Sequence, residues 1–214
     1  TLFRSLFEAA RDFAPAAEYC VMAAKNSMQI AAFKESLSLA RRGVELLKAL
    51  PESDERAQKE MTLQHMIGAS VVAVKSGAAP EILPAFLRAR ELAEQLGDHR
   101  MRFKIEYSLV WTYFSRGDVN KALAQADIAV QLSDELQDSM FMIQARYVKG
   151  CLAGRRGELR LARELFEQAI SFFDQSQHIA NAFIFGSDGG SHSFSQLARV
   201  LWLLGYPDQA LVQL

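Results

Sequence analysis

Apolar residues along this chain recur every three or four positions, in runs of helical length separated by short polar or glycine-bearing breaks. The clearest instance is Phe103–Leu132, FKIEYSLVWTYFSRGDVNKALAQADIAVQL. Leu109, Tyr113 and Phe114 keep helical spacing as far as Arg116, where Gly117 and Asp118 break it. Ala122, Ala126 and Ala129 then place small side chains on one face of a second helix. Small residues on a facing stripe let two helices approach closely, so the spacing predicts an antiparallel hairpin with a short turn. One hairpin cannot cover its own apolar faces and requires similar neighbours.

The chain supplies them. YVKGCLAGRRGELRLARELFEQAI (147–170) repeats the pattern about 40 residues on, with Gly157 in place of Gly117, Ala162 of Ala122, Phe166 of Ala126 and Ala169 of Ala129. LARVLWLLGYPDQAL (197–211) has Gly205 at the turn and Ala210 at the small position. Upstream, PAFLRARELAEQLGD (84–98) matches the second helix through Ala85 and Ala89, and FKESLSLARRGVELLKALP (33–51) through Ser36, Ala40 and Gly43. The anchors Ser36, Ala85, Ala122, Ala162 and Ala210 are spaced roughly 37 to 49 residues apart, so the connecting loops differ in length.

This grammar resembles the tetratricopeptide repeat, on Val110, Tyr113, Gly117, Ala122 and Ala129 in one copy and Gly150, Gly157, Ala162, Phe166 and Ala169 in the next. It departs from that family where Val110 replaces the usual first glycine, where Ala153 replaces the tyrosine, and in a period longer than about 34. The resemblance implies an all-α fold, a right-handed superhelix of antiparallel helix hairpins with about five repeats, in a single repeat domain over 1–214. AAEYCVMAA, LLKALPESDERAQKEMTLQ, QHIANAFIFGSDGG and LWLLGYPDQAL further resemble the helical-repeat C-terminal region of bacterial multidomain regulators. Those join an adenylate cyclase-like or winged-helix output domain to a signal-transduction ATPase module. That likeness implies a regulatory tail, with the nucleotide chemistry elsewhere in the parent protein.

Composition narrows the classes. Half of the residues are hydrophobic, and the five prolines fall at expected helix ends or turns (Pro51, Pro80, Pro84, Pro207) or in a first helical turn (Pro15). A net charge of −1 with mixed signs offers no basic stripe for nucleic acid. The cluster Arg155, Arg156, Arg160 and Arg163 is interleaved with Glu158 and Glu164 and reads as a solvated face. Cys20 and Cys151 read as buried small apolar residues of a reducing compartment. With no apolar run of membrane length and no leader pattern, the expected location is cytoplasmic. Leu2, Phe3, Leu6 and Phe7 at one end and QALVQL at the other lack the polar caps that repeat arrays need. The expectation is a piece of a longer polypeptide, or ends that cover each other in a homodimer.

Local signals set the expected boundaries. PESDER (51–56) reads as a loop before a helix over 57–74, Lys75–Pro84 as a longer turn, Gly97 as a left-handed helix cap, and Ser133–Asp138 as a transition between hairpins. Asp188 or Ser191 is expected to cap a helix starting near His192.

Asp188, Ser191, His192 and Ser193, with His178 upstream, are the catalytic residue types that cluster, but they lack the strained nucleophile turn of a hydrolase. His178, His192 and Asp188 match no compact metal spacing, and Gly186, Gly189 and Gly190 lack the Lys-Ser/Thr ending of a phosphate loop. No enzyme activity, cofactor or metal is therefore expected. His65, beside Met61 and Met66, reads as groove-facing or partly buried.

The resemblance places groove-lining positions on the first helix of each hairpin. These are Lys104, Tyr107, Trp111 and Phe114; then Gln144, Tyr147, Cys151 and Arg155; then His192, Arg199 and Trp202. Aromatics interleaved with cations suit a protein or peptide segment, or a neighbouring domain of the parent chain. The alternative for Trp111, Phe114 and Trp202 is packing between helices. A second functional reading makes the groove a small-molecule or peptide sensor closed by the 180–193 loop.

Overall fold

A computed structural model of the protein describes residues 12–174 and 188–213. Among these the chain is all-α, without strands. Ten helices follow one another: α1 (Phe13–Gln29), α2 (Phe33–Leu47), α3 (Asp54–Val74), α4 (Ile82–Leu96), α5 (His99–Ser115), α6 (Val119–Leu136), α7 (Ser139–Arg155), α8 (Leu159–Ser171), α9 (Gly189–Leu203) and α10 (Pro207–Val212). Taken in pairs they are five helix–turn–helix repeats, and every small-residue anchor read from the sequence is buried: Ser36, Ala85, Ala122, Ala162 and Ala210.

The turns follow one design. Asp118, Glu158 and Tyr206 each donate a backbone N–H to the carbonyl five residues back (Tyr113, Ala153, Leu201) at 2.9–3.0 Å, which closes the preceding helix. The residue before each donor lies in the left-handed region, with φ of 79° at Gly117, 81° at Gly157 and 87° at Gly205. A Cβ at any of these glycines would find nothing within 4 Å, so backbone conformation and not space selects glycine there. Ala31 and Gln137 hold positive φ without that freedom.

Several boundaries differ from the sequence reading because a side chain starts the helix earlier or the helix runs on. Ser53 accepts from the Arg56 amide and begins α3 at Asp54, inside the polar run. α4 begins at Ile82, so Pro84 sits in its first turn, where the missing N–H leaves no bond unmade. Ser133 is buried within α6, and the transition narrows to Gln137 and Asp138, the latter capping α7 through the Met140 amide. Asp188 caps α9 through the Gly190 amide, three residues before the expected start.

The chain divides by its internal contacts into two compact units, Thr1–Asp118 and Val119–Leu214. The boundary falls inside the stretch 103–132. In the first unit, α1 to α4 each pack on the next helix, and α1 also touches α3. Its core joins Ala16, Cys20 and Ala24 to Leu39, Leu47, Met61, Leu63, Phe86 and Leu92. The buried anchor Ser36 accepts a hydrogen bond from Ser70 of α3 at 3.3 Å, which accounts for a hydroxyl at a position otherwise held by alanine. In the second unit α6 to α10 pack successively, and α7 also touches α9.

Two glycines mark the closest approach of paired helices. A Cβ on Gly68 of α3 would stand 2.5 Å from the Phe86 ring of α4, and one on Gly150 of α7 would stand 2.8 Å from the Phe166 ring of α8. Each ring is buried and occupies the space its glycine leaves.

Candidate functional site

In the second unit the expected groove residues come from α7 and α9. Spacings of three, four and four put Gln144, Tyr147, Cys151 and Arg155 on one stripe of α7. The start of α9 presses against this stripe: a Cβ on Gly189 would lie 2.7 Å from Gln144 Oε1 and 3.2 Å from Tyr147 Cβ. The Tyr147 and His192 rings stand 6.0 Å apart between centroids, tilted by 39°. Gln144 and Cys151 are buried beneath this surface, whereas Arg155, His192 and Arg199 are exposed. Burial pushes the Cys151 thiol up to about 11, against the smaller opposing effects of a hydrogen bond with Tyr147 and the charges of Arg155 and Arg199. Trp202 is 63% exposed, so it does not pack between helices.

In the first unit, Lys104, Tyr107, Trp111 and Phe114 form the corresponding stripe of α5. Trp111 is half-buried and meets Tyr107 and Phe114 edge-on, with centroids 6.4 and 6.3 Å away. Burial, and next the Arg100 charge, lower the Lys104 ammonium from its ordinary range. His65 of α3 belongs to the same neighbourhood. Its ring lies 5.8 Å from Phe86, and burial followed by Lys104 pushes it down to about 4, so it is neutral at pH 7.

One ionisable residue escaped the sequence reading. Glu106 is 1% exposed on α5, with Arg102 Nε 3.9 Å from one carboxylate oxygen and no hydrogen bond to Oε2. Burial pushes it up to about 6; Arg90 and Arg102 oppose this and Glu94 adds to it. The signal was present in the helical register, since Phe103, Glu106 and Val110 share one buried face.

The Asp188–Ser193 cluster is a helix cap. Asp188 accepts from the Gly190 amide at 3.0 Å and from Ser191 Oγ at 2.6 Å. His192 Nδ1 faces the Asp188 backbone carbonyl at 2.7 Å, not its carboxylate, and Ser193 Oγ donates to Gly189 O. Neither hydroxyl is directed at the imidazole, as nucleophile activation requires. Among the described residues no three His, Cys, Asp or Glu side chains gather as metal ligands. His178 and most of the 180–193 loop lie outside the described residues.

Two crevices lie away from these stripes, at equivalent places between successive second helices. One of about 560 Å³ in the first unit is lined by Arg41, Val44, Ile67, Pro84 and Arg88; one of about 350 Å³ in the second by Glu167, Ile170, Leu197, Gln209 and Gln213.

No family model matches the chain. It is 29% identical over 136 residues to the photosystem I assembly protein Ycf3 of Cyanophora paradoxa, covering 63% of this chain and 75% of that protein. Its fold is similar to that of a Podosopora anserina putative kinesin light chain with nearly identical TPR-like repeats: TM-score 0.68, 16% identity, 92% of this chain and 90% of that one. It is also similar to the Rap conjugation gene regulator of plasmid pLS20, solved with the Phr* peptide: TM-score 0.68, 15% identity, 96% of this chain and 53% of that one. These likenesses show a tetratricopeptide-like helical-repeat fold. No described helix is long and apolar enough to cross a membrane.

Proposed function

We propose that the chain is a non-catalytic interaction module that binds an extended protein segment along the first helices of its hairpins. The observation that carries this reading is the surface of α7 and α9, where the Tyr147 and His192 rings meet and the same two helices expose Arg155 and Arg199. The edge-on Tyr107–Trp111–Phe114 stack on α5 is a second such surface in the first unit. Rigid aromatics offer large contact area at small entropic cost, and arginine adds directional hydrogen bonds. The peptide bound by the structurally similar Rap regulator favours the same use of the fold.

The sequence resemblance to bacterial multidomain regulators favours, as the occupant, a segment of the parent protein or of a cytoplasmic signalling partner. Co-purification from a bacterial lysate with this chain as bait, followed by native mass spectrometry, tests the proposal. The expected result is a bound polypeptide that is lost from Trp111→Ala/Arg155→Ala at unchanged helicity. Retention of that polypeptide by the double variant refutes the surface assignment. A co-purifying compound of small-molecule mass replaces the reading with a sensor.

A further inference from the structure

A pair of polar groups in the first unit bears on the chemistry of the segment, an inference that rests on the segment-binding reading. His65 of α3 and Tyr147 of α7 hold the same place in their hairpins. Each lies three residues before the glycine, Gly68 or Gly150, whose space a phenylalanine of the second helix fills. Each ring also stands beside that phenylalanine, His65 5.8 Å from Phe86 at 47° and Tyr147 6.4 Å from Phe166 at 49°. Lys104 of α5 and His192 of α9 correspond as well, each thirteen residues before its turn glycine, Gly117 or Gly205. Tyr147 meets His192 on the next first helix, and the same register turns His65 towards Lys104, whose charge acts on the imidazole. Where the second unit has two rings in contact, the first has an imidazole and an ammonium. Both groups are half-buried, and among the described residues the ammonium has no ion pair and the imidazole no hydrogen bond. Asp98, the acid that acts on Lys104, holds the Met101 amide at 2.9 Å as the cap of α5.

We infer that His65 and Lys104 together hold the side-chain carboxylate of one Asp or Glu in the bound segment, whose neighbouring apolar side chains lie on Trp111 and Phe114. One ammonium and one neutral imidazole N–H match the single charge and the two oxygens of a carboxylate. Both donors are already partly withdrawn from water, so a carboxylate placed between them forms stronger bonds than it would with a fully exposed lysine. A cationic side chain at the same place would face Lys104 and Arg100 together and be rejected. The segment lies lengthwise on the first helices, so a side chain and not a chain terminus reaches the pair.

The test uses the full chain, immobilised and panned against random dodecapeptides fused through their C-termini to a phage coat protein, so that the carboxylates offered are those of side chains. Enriched peptides should share an Asp or Glu position. Their affinity should fall on the order of tenfold with Lys104→Met, which keeps the aliphatic stem and removes the charge, and about threefold with His65→Leu. A peptide carrying Lys at the shared position should bind Lys104→Glu more tightly than it binds the unaltered chain. Lys48→Gln, at the exposed end of α2, should leave binding unchanged. Circular dichroism verifies that the variants keep their helix content. Enriched peptides without an acidic position, or an affinity that Lys104→Met or His65→Leu leaves as it was, overturn the inference while leaving segment binding standing. A library that enriches nothing over a Trp111→Ala/Tyr147→Ala variant removes both readings together.

Discussion

Replacing Gly150 by alanine probes the close approach of α7 and α8. Alanine in a helix interior is favoured over glycine by about 0.8–1.0 kcal/mol, so on propensity alone the change stabilises. The added Cβ, however, would stand 2.8, 3.0 and 3.1 Å from Cε1, Cζ and Cδ1 of Phe166. Carbon contacts are optimal at about 3.5–4.0 Å, leaving a shortfall of about 0.7 Å on the nearest atom. Phe166 is 0% exposed, so its rigid ring cannot swing into solvent, and α8 must shift instead. Overpacking of this kind costs about 1–3 kcal/mol, which leaves a net destabilisation of about 0–2 kcal/mol after the propensity gain. Gly154, one turn later on the same helix, is the control, because a Cβ there meets only Ala162 Cβ at an ordinary 3.7 Å. Gly154→Ala should therefore stabilise by about 0.5–1 kcal/mol. Urea unfolding followed by far-UV circular dichroism resolves a difference of this size between the two variants. A Gly150→Ala/Phe166→Leu double variant should show a favourable coupling of about 1 kcal/mol, because the smaller side chain relieves the clash. If Gly150→Ala proves as stable as Gly154→Ala, the close-approach argument fails.

The remaining predictions concern a buried acid and a turn. Glu106 holds its proton more tightly folded than unfolded, at about 6 against the ordinary 4.5, so its contribution is most favourable below pH 4.5 and is lost as pH rises through 6. The loss amounts to about 2 kcal/mol at pH 7, and Glu106→Gln should flatten the stability profile over that window and be the more stable protein at pH 7. Identical pH slopes for the two proteins would sink this account. At the α7–α8 turn, Gly157→Ala should cost about 1–2 kcal/mol through its positive φ, and Gly157→Asn should cost less, because asparagine tolerates the left-handed region. Equal thermal midpoints for the two substitutions would show that the turn conformation is not what glycine serves.

The helix pairs and their register were legible in the sequence. Ser36, Ala85, Ala122, Ala162 and Ala210 stand at corresponding places on second helices, and all are buried. The exact helix starts were less legible, since Ser53, Asp138 and Asp188 act through hydrogen bonds that compete with several neighbouring candidates. On the candidate surface, Tyr147 and His192 do meet, while Gln144 and Cys151 lie beneath them. The apparent Asp–His–Ser cluster became a cap, because adjacency along a helix start favours local bonds to the backbone over a converging triangle.

Sequence alone determined what depends on local geometry: helical periodicity, the small stripe that permits close packing, and the glycine that a left-handed turn selects. Each of these follows from the backbone dihedrals of a few neighbouring residues, so spacing is sufficient to read it. Only tertiary structure decided which side chain lies opposite which. It seated Phe86 and Phe166 over Gly68 and Gly150, buried Glu106 beside Arg102, and left Trp202 in solvent. Burial and the field at a charge are sums over atoms distant along the chain, and no local pattern contains that sum.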